Sequence, residues 1–384
     1  MNRLKKGFTI VELLVVVSII SLLIAILLPA IGKARDAALI TQSLGNLRNM
    51  SAACNAYAAD YNDRQFTAVP DEMGQYGTGG FQGACGGITA TQCIPQLVLG
   101  WDDNGGLWGY WIRGNPARCS NWPGSCSNII VYVACDFWSG TWLGTWRLSN
   151  VKAFNQYVSG RYYDKVFWAP KDRLSTEKVE KWFRAPVEFK YDPLDANSFV
   201  EPTYCWSPSS MWSPDVMGYQ RAVSSSSGGS QDPCALRLGA RPDGLAGAYK
   251  SPTSSMAQFP SLKWRMWEHQ WLQNQDGGEV NPAFSTPTPW YFNHGYNSAP
   301  AVMFFDGHTQ VVSLAGVMQD DDLAQSQSQP RRPLYFHSIA GTGDGYYANA
   351  SYDMLTNNGG CKPVTAGIAT VDGILGRDMI RLGD

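Results

Sequence analysis

The apolar residues of this chain are concentrated in one long run close to the N-terminus. From Phe8 to Ile31 the sequence has 24 residues and a single charged side chain, Glu12. As an α-helix that rises ~1.5 Å per residue, this run is ~36 Å long, which exceeds the ~30 Å hydrocarbon core of a bilayer. The pattern therefore predicts a membrane-spanning helix over residues 8–31.

The helical pattern continues beyond the apolar run. Apolar residues recur at spacings of three, four or seven up to residue 61, at Leu44, Leu47, Cys54, Tyr57 and Tyr61. This stripe predicts that one helix covers residues 8–62, stops near Asn62-Asp63, and packs its rear half on the C-terminal domain. A bend is expected near Pro29, because proline removes a backbone hydrogen bond and clashes with the preceding turn. The alternative is two helices separated at Gly32 or Gly45.

Residues 63–384 show shorter patterns, which predict a loop-rich head. Ser175–Ala185 reads as a helix with Ser175 as its N-cap. The stretches SNIIVYVACDFW (127–138) and DKVFWAP (164–170) read as strands. Residues 224–233 and 325–333 read as loops.

The clearest β-hairpin runs from Ala301 to Leu314. Asp306-Gly307 is expected to form its two-residue type I′ turn. A helix first and strands later predict an α+β fold, in which the long N-terminal helix packs on an antiparallel sheet.

Charge placement predicts the orientation of the first helix. Arg3, Lys5 and Lys6 precede the apolar run, and the positive-inside rule keeps that end cytoplasmic, so the head is exported. Two alternatives are a cleaved secretory signal, with Gly32-Lys33-Ala34 as the cleavage site, and a plain signal-anchor. Neither explains Glu12, because a carboxylate within a membrane segment costs ~2.5–3.5 kcal/mol and normally has a partner.

Composition bears mainly on the head. Charged residues are 16% of the chain, the net charge is −2 and the pI is near 6.1, which gives no reason to expect nucleic acid as a partner. Region 81–146 is rich in Trp, Gly and Cys, and seven of the 15 tryptophans lie between Trp101 and Trp146. Such rings either stack on sugars and other rings or fill the core of a sheet subdomain.

The segment KKGFTIVELLVVVSIISLLIAILLPAI resembles the type IV prepilin leader shared by type IV pilins and type II secretion pseudopilins. Gly7, Phe8, Thr9 and Glu12 match the family pattern, and Pro29 lies where the family's helix is kinked. The resemblance implies that prepilin peptidase cuts after Gly7, removes residues 1–7 as a leader, and methylates the new N-terminal Phe8.

The same resemblance implies a role for Glu12 in assembly. In the family, this acid faces the N-terminal amine of a neighbouring subunit, and a paired buried charge fixes the register of packing. The implied partners are prepilin peptidase, other pilin or pseudopilin subunits, an inner-membrane assembly platform and membrane lipid. The implied location is the inner membrane in a single pass, and then an extracellular or periplasmic filament.

A second segment, NHGYNSAPAVMFFDGHTQVV, resembles the His…Asp-Gly motif of large pilin-like proteins that carry a prepilin leader. His294, Asp306 and Gly307 correspond to that motif, and a structural role for His294 is favoured over catalysis. Where the family often has Cys-Pro-x-Asp, this chain has Ala169-Pro170-Lys171-Asp172, so the cysteine is missing.

The nine cysteines lie in an exported part of the chain, where disulfides are expected. The pairs Cys85/Cys93 and Cys119/Cys126 are close enough in sequence to close small loops. Four others are available for two more bridges: Cys135, Cys205, Cys234 and Cys361. Cys54 is expected to remain a buried thiol, and the pairing stays open. No pair has CxxC spacing, so no zinc site is predicted.

No catalytic or cofactor motif is evident. The four histidines, His269, His294, His308 and His337, are not part of a recognisable nucleophile or metalloprotease motif. Asp320-Asp321-Asp322 reads as a solvated acidic turn, with Ca²⁺ binding as the alternative. The sequence therefore predicts a structural pilin or pseudopilin subunit rather than an enzyme. The alternatives are a membrane-tethered surface binding or adhesion protein with an aromatic-rich head, and a tethered exported enzyme.

Overall fold

The computed structural model describes residues 9–67, 71, 97–112, 131–132, 145–191, 200–214, 250–268, 299–327, 333–335, 366–367 and 370–381. Its longest element is α1, a helix of 51 residues from Ile10 to Asp60. The helix continues through Gly32 and Gly45, so the prediction of one helix is confirmed and the alternative of two is wrong. It ends as predicted, because Asn62 and Asp63 both adopt positive φ values, 55° and 64°.

Seven strands form two sheets in the described part of the head. The strands are β1 (Leu97–Trp101), β2 (Leu107–Ile112), β3 (Val131–Tyr132), β4 (Tyr204–Trp206), β5 (Trp264–Glu268), β6 (Ala301–Phe304) and β7 (Thr309–Val311). The first sheet has the order β1-β2-β3, with β1 antiparallel and β3 parallel to β2. The second has the order β4-β5-β6-β7 and is antiparallel throughout. The α+β class is therefore confirmed.

Four further α-helices are described: α2 (Lys152–Asn155), α3 (Arg173–Phe183), α4 (Pro208–Met211) and α5 (Leu314–Gln327). Short 3-10 helices lie at Thr145–Arg147, Lys165–Phe167, Ser254–Met256 and Gly373–Leu375. Helix α5 extends into residues 325–327, which were expected to belong to a loop.

The rear half of α1 packs against the second sheet at β6 and β7. Its buried residues are Ser43, Leu47, Met50, Ser51, Ala53, Cys54 and Ala58. Leu44 and Tyr57 pack at the margin of this core, whereas Tyr61 is 45% exposed. The predicted stripe therefore anchors α1 to the head, except at its last turn.

Tryptophan rings fill much of the core beneath this helix. Six are at most 2% exposed: Trp146, Trp168, Trp206, Trp212, Trp264 and Trp267. Trp146 stacks on Trp267 with ring centroids 6.3 Å apart, and Trp206 meets Phe154 edge-on at 4.7 Å. Burial and ring contacts of this kind stabilise the head, which gives these tryptophans a structural role.

Helix α3 begins earlier than predicted, and its cap is a different residue. Asp172 is the N-cap, and its carboxylate accepts a hydrogen bond from the Ser175 N–H at 3.0 Å. Ser175 therefore lies within the first turn, and the expectation that it caps the helix is wrong. Asp and Ser are both good N-caps, and the tertiary contact of Asp172 with Thr203 favours the aspartate.

The segment 164–170 is not a strand. Lys165–Phe167 forms a 3-10 helix, because the Asp164 carboxylate accepts from the Val166 N–H at 3.0 Å and starts a helical turn. The β-branched and aromatic residues that suggested a strand instead point into the core, where Phe167 and Trp168 are buried. Of the other predicted strand, 127–138, the structure describes β3 alone.

The hairpin β6–β7 is confirmed, but its turn differs from the expected type. The Gly307 N–H donates to the Phe304 carbonyl at 3.0 Å, and the Phe304 N–H donates to the His308 carbonyl at 3.0 Å. Gly307 has a φ of 88°, whereas Asp306 does not have a positive φ. This is a three-residue loop with a left-handed glycine rather than a type I′ turn.

Asp320, Asp321 and Asp322 lie on α5, not in a solvated turn. The Asp320 carboxylate accepts from the Ile380 and Arg381 N–H groups at 2.7 and 3.0 Å. Asp321 accepts from the Leu334 N–H at 2.7 Å. Both are buried, and both tie later segments of the chain to α5. Among the described residues, no group of three or more potential metal ligands is found.

Candidate functional site

Helix α1 begins with a complete capping box formed by Thr9 and Glu12. Thr9 is the N-cap in an extended conformation, with φ −86° and ψ 151°. The Glu12 N–H donates to Thr9 Oγ1 at 3.2 Å, and the Thr9 N–H donates to Glu12 Oε2 at 2.9 Å. The two residues thus satisfy each other's backbone donors, which stabilises the helix start.

The capping box occupies one of the two carboxylate oxygens of Glu12 and leaves the other available for a further hydrogen bond. The Thr9 hydroxyl also donates to Oε2, at 2.8 Å, so one oxygen takes both local hydrogen bonds. Within the described residues, Oε1 of Glu12 receives none. The carboxylate is therefore held in place by Thr9 while one oxygen remains open to a cationic donor.

Sequence reasoning missed the capping role of Thr9, although the signal was present. Thr-Ile-Val-Glu at residues 9–12 has the Thr-x-x-Glu pattern of a capping box before an apolar run. The acid near the start of the apolar segment therefore has a function within its own helix, in addition to the intersubunit role that the resemblance implies.

The first half of α1 has an apolar surface that is not covered by any described part of the head. Sixteen large apolar residues between Ile10 and Ile31 are 45–82% exposed. Among the described residues, α1 is the one helix long and apolar enough to cross a membrane. Contiguous apolar surface of this extent marks a segment that is covered by lipid or by other protein chains.

Pro29 lies within this half, and the helix is assigned without interruption on both sides of it. The missing N–H of Pro29 removes one hydrogen bond from the helix at this point. The bend itself stays a prediction. Gly7 and Phe8, which flank the expected cleavage site, lie outside the described residues.

A buried polar cluster joins α1 to the head. The Ser43 hydroxyl donates to Glu268 Oε1, and the Tyr204 hydroxyl lies 2.6 Å from Ser43 Oγ. The other oxygen, Glu268 Oε2, accepts from the Ala301 N–H at 2.9 Å. Burial raises the pKa of Glu268, and the two hydrogen bonds lower it in part. The cluster connects α1 with β4, β5 and β6 at the point where the helix leaves the head.

The Asp-Gly part of the second motif packs on α1. A Cβ atom added to Gly307 would lie 3.0 Å from Ser51 Oγ, and the φ of 88° disfavours other residues. Asp306 stabilises the turn of the hairpin through His308. Its Oδ1 lies 2.5 Å from His308 Nδ1 and accepts a hydrogen bond from the His308 N–H. The motif thus shapes a tight turn against the helix. His294 lies outside the described residues.

Asp172 is a further buried carboxylate that ties two segments together. The Thr203 hydroxyl donates to its Oδ2 at 2.7 Å, while Oδ1 caps α3. Burial raises its pKa to about 6, although both hydrogen bonds oppose the shift. It is the aspartate of Ala169-Pro170-Lys171-Asp172, and it has a structural function here.

Of the cysteines, the structure describes Cys54 and Cys205, and both are buried free thiols. The expectation for Cys54 is confirmed. Cys205 is not in a disulfide, so its assignment to a bridge is wrong; its Sγ lies 3.9 Å from the Trp267 carbonyl oxygen. The cysteines of the two expected local bridges, Cys85, Cys93, Cys119 and Cys126, lie outside the described residues.

Comparison with known protein families gives a match at the N-terminus. Residues 2–28 match the family described as the prokaryotic N-terminal methylation motif. No curated protein and no solved structure matches the chain. The matched segment contains Gly7, Phe8, Thr9 and Glu12, and it continues into the exposed apolar half of α1. This N-terminal match supports a prepilin-type protein, the class that comprises pilins and pseudopilins.

Proposed function

We propose that this protein is a structural subunit of a type IV pilus or a type II secretion pseudopilus. In this proposal, prepilin peptidase cuts between Gly7 and Phe8 and methylates Phe8. The mature subunit is stored in the inner membrane by residues 8–31, with residues 63–384 exported as the head. An inner-membrane assembly platform then transfers it into a filament of like or related subunits.

The observation that carries the proposal is the contrast between the two halves of α1. The rear half is bound to the head by a buried stripe, whereas the first half exposes its apolar residues on all sides. A helix that is apolar all round is covered either by lipid or by other helices. Exchange of the first cover for the second is the physical basis of filament growth from a membrane store.

Glu12 supplies the specificity of that exchange. Its Oε2 is held by Thr9, and its Oε1 is open to the α-amine of Phe8 in a neighbouring subunit. An amine and a carboxylate that are buried together neutralise each other, whereas either one alone is strongly unfavourable. Packing registers that bring the two groups together are therefore favoured over others.

A surface binding protein with an aromatic-rich head is the second candidate function, and the described rings give it little support. Trp101 is 47% exposed, but six of the described tryptophans are fully buried. Aromatic side chains that form the core do not provide a stacking surface for a ligand.

The test of the proposal is to purify filaments from the native host and identify their subunits. This protein should be recovered in the filaments with an N-terminus at methylated Phe8, and cells that lack its gene should have altered or missing filaments. Recovery of mature protein that begins at Met1, or near Arg35 or Asp36, would contradict the processing step. Correct processing without incorporation into any filament would favour a membrane-tethered binding protein.

A further inference from the structure

Two basic residues lie directly beyond the apolar half of α1. Lys33 and Arg35 follow Ile31, the last residue of the apolar run, and both are exposed. Neither forms an ion pair with any residue that the structure describes. They are on the side of the apolar segment opposite to the leader, which is the exported side.

The length of the apolar segment places both residues at the depth of lipid head groups. The 22 residues from Ile10 to Ile31 extend ~33 Å as a helix, close to the ~30 Å hydrocarbon core. Lys33 and Arg35 lie ~3 and ~6 Å further along the axis. A bilayer is ~40–45 Å thick with its head groups, which leaves a polar layer of ~5–8 Å on each side.

The two side chains leave the helix on opposite sides. At 3.6 residues per turn, positions 33 and 35 are ~200° apart around the axis. A single neighbouring helix contacts one side of α1 and cannot engage both residues. Lipid head groups surround a spanning helix, so they reach both sides at the same depth.

The described part of the chain offers little to neutralise these charges. Asp36 is the one carboxylate between Ile31 and Ser43; it is exposed and lies nearer the side of Lys33 than that of Arg35. Ser43 is the first residue of α1 that is buried in the head, ~12 Å beyond Arg35. Leu39 and Ile40 are half-buried, but full burial in the head begins beyond the layer of lipid head groups.

From this geometry we propose that Lys33 and Arg35 form a lipid-binding collar that holds the phosphate groups of anionic phospholipids in the exported leaflet. The collar fixes how deep the mature helix sits. Before cleavage, Arg3, Lys5 and Lys6 hold the other end in the cytoplasm. Cleavage removes those three charges, so Lys33 and Arg35 are then the basic residues that flank the membrane-spanning segment. Extraction of the subunit into a filament must break its lipid contacts.

The test measures lipid selectivity of the processed, full-length protein in phosphatidylcholine bilayers. Spin-labelled phosphatidylglycerol and spin-labelled phosphatidylcholine report, by electron paramagnetic resonance, which lipid is enriched next to the protein. We expect the wild type to prefer the anionic lipid by about fivefold for each basic residue that binds a head group, and to lose the preference at high salt.

The double variant Lys33→Gln/Arg35→Gln should lose this preference while it remains inserted in the membrane, as checked by flotation. The matched control is Arg48→Gln, an exposed basic residue of α1 that lies ~20 Å beyond Arg35 and outside the lipid layer. It should keep the wild-type preference. Absence of selectivity in the wild type, or its survival in the double variant, would overturn the proposal.

Lipid binding by Lys33 and Arg35 is separate from filament assembly and requires only that α1 is inserted in a membrane. It can therefore be tested without a filament. If the wild type shows no lipid preference but the double variant fails to assemble in cells, the two residues contact different neighbouring subunits and the lipid collar is wrong. If the wild type shows the preference and no filament forms in any background, the collar stands and the proposed function fails.

Discussion

Ser43 on α1 donates its hydroxyl group to the buried carboxylate of Glu268 at the end of β5. The contact joins residues that are 225 positions apart, and Ser43 is the first fully buried residue of the long helix. The proposed filament role requires that force passes between these two parts, and this junction connects them through buried hydrogen bonds.

Replacement of Glu268 by glutamine tests the ionic state of the junction. Burial raises the pKa of Glu268, Lys171 opposes the shift and Asp172 adds to it. Because the folded state binds the proton more tightly than the unfolded state, the free energy of unfolding falls as the pH rises from about 4.5. Glu268→Gln should remove this part of the pH dependence and raise the Tm by a few degrees at neutral pH.

Thermal unfolding of both proteins from pH 4 to pH 8 measures the difference. Asp172 adds its own pH dependence to the free energy of unfolding, because burial raises its pKa to about 6. The difference between the variant and the wild type therefore isolates the contribution of Glu268. Ser43→Ala is a control for which the opposite effect is expected. It removes a hydrogen-bond donor from the buried carboxylate and should lower the free energy of unfolding by about 1–3 kcal/mol. A Glu268→Gln protein that is less stable than wild type at pH 7 would show that the ionised carboxylate stabilises the junction.

The buried ion pair of Lys263 and Asp378 should be among the most sensitive contacts of the head. Both side chains are fully buried, and Lys263 Nζ lies 2.9 Å from Asp378 Oδ2. Asp378 also accepts from the Trp264 and Gly367 N–H groups at 2.9 and 2.7 Å, which fixes the C-terminal segment against β5. Lys263→Met leaves this carboxylate without its counter-charge and should lower the free energy of unfolding by about 3–5 kcal/mol.

Chemical denaturation of Lys263→Met, Asp378→Asn and the double variant gives the coupling energy. The double variant should be more stable than the sum of the single losses predicts. Lys152→Gln breaks a pair with Glu188 in which both side chains are more than a third exposed, and it should cost less than about 1 kcal/mol. Equal losses for Lys263→Met and Lys152→Gln would contradict this account.

Gly307 should tolerate alanine less well than a glycine in open space. Its positive φ costs a side chain about 1–2 kcal/mol, and the new Cβ would also press on Ser51 Oγ. Gly160 has a similar φ of 73°, but nothing lies within 4 Å of an added Cβ. Gly307→Ala is therefore expected to lower stability more than Gly160→Ala, as measured by denaturant unfolding.

The Ser51→Ala background separates the two causes. Without the Ser51 Oγ atom, Gly307→Ala should lower the free energy of unfolding only as much as Gly160→Ala does. The remaining loss comes from the positive φ alone. If the two glycines respond alike in the wild-type background, the packing of the hairpin on α1 does not explain this glycine.

The longest features of the fold could be predicted because their signals are local. The apolar run and the stripe from Leu44 to Tyr57 specify α1, and Asn62-Asp63 ends it. The turn at Asp306-Gly307 was placed correctly, but its type depends on the register Val302↔Gln310, which the sheet decides. At the N-terminus, the signal is also local, because the Thr-x-x-Glu pattern of residues 9–12 predicts the bond between Thr9 and Glu12.

The failures share a physical cause. Asp320 and Asp321 look solvated in the sequence, but their donors, Ile380, Arg381 and Leu334, are distant in the chain. In the same way, Asp172 is preferred to Ser175 as a cap because Thr203 holds it. Buried polar contacts across long separations leave no periodic pattern, so the sequence alone does not reveal them.

Disulfide mapping tests the exported state of the head. At least one local bridge, Cys85–Cys93 or Cys119–Cys126, is expected in protein from the native host, because exported cysteines at short spacing oxidise readily. Cys54 and Cys205 should be recovered as thiols that react with alkylating reagents only after denaturation. Non-reducing peptide mapping makes both measurements. Alkylation of all nine cysteines without reductant under denaturing conditions would show that no bridge forms.

The charge of Glu12 is the central element of the assembly proposal, and it can be separated from its capping function. Glutamine at the third helical position still completes a capping box, whereas alanine does not. Glu12→Gln therefore preserves the helix start but removes the partner of the Phe8 amine. An uncompensated buried charge costs about 3–5 kcal/mol per subunit, which should prevent filament growth.

The decisive measurement is the filament yield of cells that express wild type, Glu12→Gln or Glu12→Ala at equal membrane levels, with the N-terminus of each protein determined. The account predicts that both variants are inserted and cleaved at Phe8, and that neither forms filaments that contain the protein. Wild-type filaments from Glu12→Gln would show that the carboxylate charge is not required and would contradict the proposed pairing.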